Sequence, residues 1–267
     1  MKLLNRVRGA ALAASVMVCG APMAATVDLG TTTMGSVTGL FGFSNLSPGT
    51  LASQAGVVEL VNGPMGIGGF KAYSRLYLSF DLSGVTDPVT GATLRLRNGT
   101  YTSKGPSTTF PFTVLTHVSE LFNVFDVSTS YAALQSPFIN ACACFPPTPN
   151  VAGLAAFADL GTGSVYGGYT ATLANVGVDV DIVLSAQAIA DINAASGGGF
   201  TVGIAFAGVE FNGFGGQLGA PLVQQTIDLV QDNTKQRLIL TTTPVPEPAS
   251  AVLLLAGLGL LRWARRR

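Results

Sequence analysis

SRLYLSFDLSGVTDPVTGATLRLRNGTY, residues Ser74 to Tyr101, alternates twice around one turn-rich gap. Leu76, Leu78, Phe80 and Leu82 fall on one face of the first run, with Tyr77, Ser79 and Asp81 on the other. A period of two is the signature of a strand buried on one side. Val85 to Gly91 contains Asp87-Pro88 and Gly91, so it reads as a connection. Ala92 to Arg97 alternates again, apolar against Thr and Arg, and Asn98-Gly99 is expected to close it with a tight turn. The same pattern predicts strands at 112–118, 178–184, 200–206, 226–230 and 237–242. One helix is expected over Ala186 to Ala195, capped by Ser185 and stopped by Gly197-Gly198-Gly199. Residues 161–168 and 208–219 read as long Gly-rich loops. Strands joined by turns without regular helices predict an all-β fold, an antiparallel β-sandwich or jelly roll with one short helix.

The composition agrees with a globular body. The chain has 267 residues, 48% hydrophobic and 10% charged, with 33 Gly and 14 Pro. Mean hydropathy is +0.47, which excludes a polar disordered chain. Fourteen bases balance fourteen acids, but seven bases sit in the two ends: Lys2, Arg6, Arg8, Arg262, Arg265, Arg266 and Arg267. Residues 26–244 therefore carry seven bases against thirteen acids, a net charge near −6. An acidic body argues against nucleic acid as a partner, because phosphate binding needs clustered Lys and Arg.

The first 25 residues have a basic start, an apolar stretch from Gly9 to Gly20, and small residues at Ala21, Ala24 and Ala25. This is the layout of a secretory signal peptide, with cleavage by signal peptidase expected after Ala24 or Ala25. Val18 before Cys19 does not suit a lipoprotein signal. At the other end, Pro244, Pro246 and Pro248 enforce an extended linker. An uncharged run from Ala249 to Leu261 follows, with Leu253, Leu254, Leu255, Leu258, Leu260 and Leu261 as its apolar mass. Arg262, Arg265, Arg266 and Arg267 close the chain. The run is short for a full span, which takes about 20 residues, but Trp263 and snorkelling arginines extend it. The expected organisation is a signal peptide over 1–25, a β domain over 26–243 and a membrane anchor within 244–267. By the positive-inside rule the body lies outside the membrane.

Pro246-Glu247-Pro248, a Gly-containing apolar segment and an Arg tail resemble the PEP-CTERM sorting signal, also called the ice-binding protein C-terminal domain. That resemblance implies a substrate of an exosortase-type transpeptidase in a Gram-negative bacterium that makes extracellular polysaccharide. It makes Pro246, Glu247 and Pro248 the recognition motif, and it implies a membrane-anchored precursor passed on to the cell surface or matrix. No regular Thr-x-Thr ladder supports ice binding. Residues 74–101, with VDVDIVLSAQAIADINAASGGGFTVGIAF at 178–206, also resemble the DNRLRE-type domains of secreted bacterial proteins, which are β-sandwiches of the carbohydrate-binding kind.

Residues that carry chemistry are sparse. His117 is the one histidine, so a multi-histidine zinc site is excluded. There is no Gly-x-Ser-x-Gly, and Gly66-Ile67-Gly68-Gly69 lacks the Lys of a phosphate loop. Cys142 and Cys144, one residue apart in a Pro-rich stretch, leave open a strained disulfide, free thiols, pairing to another chain or metal binding. Paired carboxylates for glycoside hydrolysis would have to come from Glu59, Glu120, Asp126, Asp159, Asp179, Asp181 and Glu210. Asp179 and Asp181 share one strand face, too close for a cleft pair. They read as a solvated face or a calcium site. The expectation is an exported surface protein that is not an enzyme, with no cofactor and no catalytic residue, acting in adhesion or binding of extracellular polysaccharide. A secreted carbohydrate hydrolase and a purely structural surface component are the alternatives.

Overall fold

The computed structural model describes residues 24–40, 43–46, 54–60, 70–106, 114–116, 119–135, 151–207, 224–243 and 262. Thr26–Thr242 is one compact unit. Its strands are β1 (Ala25–Leu40), β2 (Phe43–Leu46), β3 (Gln54–Leu60), β4 (Phe70–Asp81), β5 (Val89–Pro106) and β6 (Val114–Thr116), then β7 (Ser119–Asp126), β8 (Val165–Thr172), β9 (Asp179–Val183), β10 (Gly199–Phe206), β11 (Gln224–Leu229) and β12 (Arg237–Thr242). All their registered pairings are antiparallel. The fold is all-β, as the alternating patterns predict.

Two long strands bend the sheet into facing layers. The first half of β5 pairs with β9 on one edge and β12 on the other. Its second half pairs with β11 and β6. The start of β1 lies beside β12, and its later part pairs with β4, nearly closing the sheet into a barrel. The even positions of β4 (Leu76, Leu78 and Phe80) meet Leu94, Leu96, Ile182, Leu238 and Leu240 from the opposite layer in one core.

The bend in β5 falls at Arg97 and Asn98. This corrects the expected Asn98-Gly99 turn: the strand runs through these residues, with a register shift against β11 at Leu229. Asn98 is wholly buried, so its polarity serves the interior and not a hairpin. Gln236, also wholly buried, mends the gap between β11 and β12. Its Oε1 accepts from Arg97 N at 2.9 Å, and its Nε2 donates to Val230 O at 3.0 Å and Arg97 O at 3.3 Å. The same turn ties down β1, where Thr31 N donates to Gln236 O and Asn233 O.

Three α-helices appear among the described residues, against one expected: α1 (Tyr131–Gln135), α2 (Val151–Asp159) and α3 (Ala186–Ala194). The expected helix is α3, with Ser185 Oγ accepting from Ala188 N as its N-cap. The Asn193 amide bonds Val89 N and O, fastening α3 to the start of β5. The helices α1 and α2 were missed. They cover the outer face of β4, where Tyr77 and Val37 pack with Leu134, Ala156 and Leu160 in a second small core. Arg75 holds α2 in place, with Nη1 donating to Phe157 O at 2.7 Å and its guanidinium lying 4.2 Å from the Phe157 ring centroid. The expected loop over 161–168 is corrected as well, because from Val165 onward it is β8. The strand expected at 112–118 is described at 114–116, and the 208–219 loop lies outside the described residues.

Candidate functional site

The last body strand leads straight into the C-terminal signal. β12 is paired on both sides, with β5 and β1. Leu238, Leu240 and Thr242 are buried in it, and Thr243 is exposed. Pro244 follows at once, and Pro cannot donate to a ladder, so the sheet ends where the proline segment begins. Pro246, Glu247 and Pro248 lie outside the described residues, as do the anchor residues except Arg262, which is exposed. No described helix is long and apolar enough to cross a membrane. His117, Cys142, Cys144 and Glu210 also lie outside the described residues.

Asp179 and Asp181 stand on β9 facing two arginines of β5. Arg95 grips Asp181 with two bonds, Nε to Oδ1 and Nη2 to Oδ2, both 2.7 Å. Arg97 Nη1 reaches Asp179 Oδ1 at 3.3 Å. The Arg95 hydrogen bond holds the Asp181 carboxyl below its ordinary range, outweighing the opposing effect of burial. In the same row Arg237 of β12 lies beside Arg95 and pairs with Asp28 at 2.5 Å, so each guanidinium has its own carboxylate across the layer. Among the described residues no three metal-binding side chains of the His, Cys, Asp and Glu set come together.

The other candidate carboxylates hold the fold locally. Asp159 accepts from Ser128 Oγ and Thr129 N, each at 2.7 Å, bracing the start of the α1–α2 insert against its end. Burial raises its pKa, but these hydrogen bonds together outweigh it and hold the group below the usual carboxylate range. Asp126 Oδ1 accepts from Ser164 N at 2.6 Å. Glu59 lies on β3.

Sequence reasoning missed a polar row inside the sandwich. Glu120 on β7 is only 6% exposed and accepts from Ser103 Oγ on β5. Tyr101, half-buried beside Ser103, has its phenol pKa raised by burial, with the Ser103 bond opposing and Glu120 adding to the rise. Asn98 Nδ2 donates to Tyr169 OH, and burial raises the Tyr169 phenol too. Asn98 Oδ1 has no hydrogen-bond partner. Asn98 read as a turn residue and Tyr169 fell in no expected element, so no sequence signal pointed to the pair. In chemical terms the row offers an acid, an amide, two phenols and a hydroxyl, with Tyr101 nearest the surface.

Residues 244–267 match the PEP-CTERM protein-sorting motif. No curated protein matches the chain. The matched motif carries the implication of an exported, surface-directed protein recognised by an exosortase-type processing system.

Proposed function

We propose that the chain is a precursor held in the membrane by 249–267, cut near Pro246-Glu247-Pro248, and handed to the surface or matrix of a Gram-negative cell. There the β body acts in adhesion and binding of extracellular polysaccharide, and is not an enzyme. The observation that carries this reading is the sorting motif joined directly to the last core strand at Thr243. The cut can then release a whole domain, because Thr242 is the last buried residue among those described.

The test uses two variants of the full chain. A stop after Thr243 should release a folded body to the periplasm or medium. Pro246→Ala with Glu247→Ala should leave a folded, unprocessed, membrane-held form. Processing of the double variant at the wild-type rate would remove the sorting reading. Polysaccharide pull-down of the displayed protein, run beside a reducing-sugar release assay, tests the second half. Sugar release abolished by a single carboxylate substitution would make it a hydrolase instead.

A further inference from the structure

The open edge of β8 is a hydrogen-bonding frame. In β7, Leu121 O accepts from Ala207 N after β10, so the backbone groups of Glu120, Phe122 and Val124 face β8. Their partners Ala171, Tyr169 and Gly167 face back. Thr172, Thr170 and Gly168 therefore aim their N–H and C=O groups away from the sheet. Both ends of this edge are capped. Tyr166 O accepts from Ser185 N at 2.7 Å, and Thr172 N donates to Asn175 Oδ1 at 2.9 Å. Between the caps, the outward groups of Gly168 and Thr170 have no partner among the described residues.

We infer that this edge pairs with the same edge of a second copy, antiparallel and centred on Tyr169. Gly168 would exchange two backbone bonds with the partner's Thr170, and Thr170 two with the partner's Gly168. The arrangement is self-complementary, as a two-fold interface must be. The caps set the register, because a two-residue slip would oppose groups already bonded. Charge also favours a copy of the chain. The body is acidic overall, yet Val165–Thr172 carries no charged residue, and Asp179 and Asp181 near this rim are held by arginines. Exposed edges are normally guarded by Lys or Pro, and β8 has neither. Three of the large apolar side chains exposed among the described residues lie at this edge: Val165 on β8, Leu173 just after it and Leu121 opposite Thr170 on β7. Gly168 is not demanded by its own packing, since a Cβ there would meet Asn123 Oδ1 at an ordinary 3.5 Å. The bare residue leaves the edge open to a facing strand.

Sedimentation velocity on the exported full chain in detergent tests this. Wild type should show a concentration-dependent monomer–dimer equilibrium. Thr170→Pro removes an outward N–H without touching the β7 ladder, and should raise the dimer dissociation constant at least about tenfold. Thr170→Lys, which sets two ammonium groups close across the axis, should do the same, while Thr170→Ser should pair like wild type. If the proline variant fails to fold by circular dichroism, the lysine variant decides. A wild type that stays monomeric at every concentration, or a folded Thr170→Lys that dimerises as tightly, would overturn the inference.

Discussion

Gln236 joins strands that would otherwise part, and its amide has no solvent to fall back on. Gln236→Leu keeps the volume but strands Arg97 N and one acceptor site of Val230 O in the interior, while Arg97 O keeps its bond from Val230 N. Urea denaturation should show a loss of about 2–4 kcal/mol, the cost of one or two orphaned buried groups. Gly203 is a second sensitive point, for a steric reason. A Cβ there would lie 2.5 Å from Leu160 O and 2.9 Å from its carbonyl carbon, and backbone cannot swing aside. Gly203→Ala should cost about 1–3 kcal/mol by the same assay and loosen the end of α2. Tyr77 belongs to this packing, crossing Gly35 on the neighbouring strand with its hydroxyl directed at Leu134 O, 3.4 Å away. For Cys142 and Cys144, thiol labelling of the exported form without reductant should leave both unmodified. Full labelling of both would remove the disulfide.

Among the elements, the α1–α2 insert depends on Asp159. Its folded pKa is depressed, so its stabilisation is present above the unfolded value of about 3.9 and is lost as pH falls through the folded value. Asp159→Asn should cost about 1 kcal/mol at pH 7 after allowing for solvent screening. The difference from wild type should begin to shrink as pH falls below the unfolded value and vanish once pH is below the folded one. Asp181 has the same sign, but its pair with Arg95 is exposed and contributes only about 0.2–1 kcal/mol. Elements that bury one clean face were legible from sequence: β4, the first half of β5, β9, β10, β11, β12 and α3 all stand where alternation or capping put them. The others were hidden by small residues and tertiary context. β1 contains three glycines and a run of threonines, and β8 reads VYGGYTAT, so neither offers contrast between its faces. α1 is a five-residue turn, and α2 reads VAGLAAFAD behind a proline stretch. The Asn98-Gly99 signal was overridden by pairing with β11, which no local rule foresees. The sorting motif was fully legible because it is linear, whereas the interior polar row is assembled from β5, β7 and β8 and has no linear signature.

At the scale of the molecule, the boundary at Thr243 makes the sharpest prediction. A chain ending at Thr243 should unfold cooperatively with an unchanged midpoint, because Thr242 is the last buried residue of β12. A chain ending at Lys235 should show no cooperative transition. It loses Gln236, Leu238 and Leu240, each leucine contributing about 1.5–3 kcal/mol of burial, and it opens both β1 and β5 to water. Thermal circular dichroism distinguishes the two. The neighbouring of β1 and β12 also fixes when the domain can form. Asp28 and Arg237 meet across a separation of 209 residues, so closing that layer brings together the two extremes of the body's chain. Contacts this distant slow folding, because loop-closure entropy is lost before the contact is gained. A polypeptide threaded through a pore N-terminus first has no way to complete the layer until its final strand has emerged. The topology therefore leaves every shorter nascent chain without its closing layer, and the body sets only once β12 has joined β1 and β5.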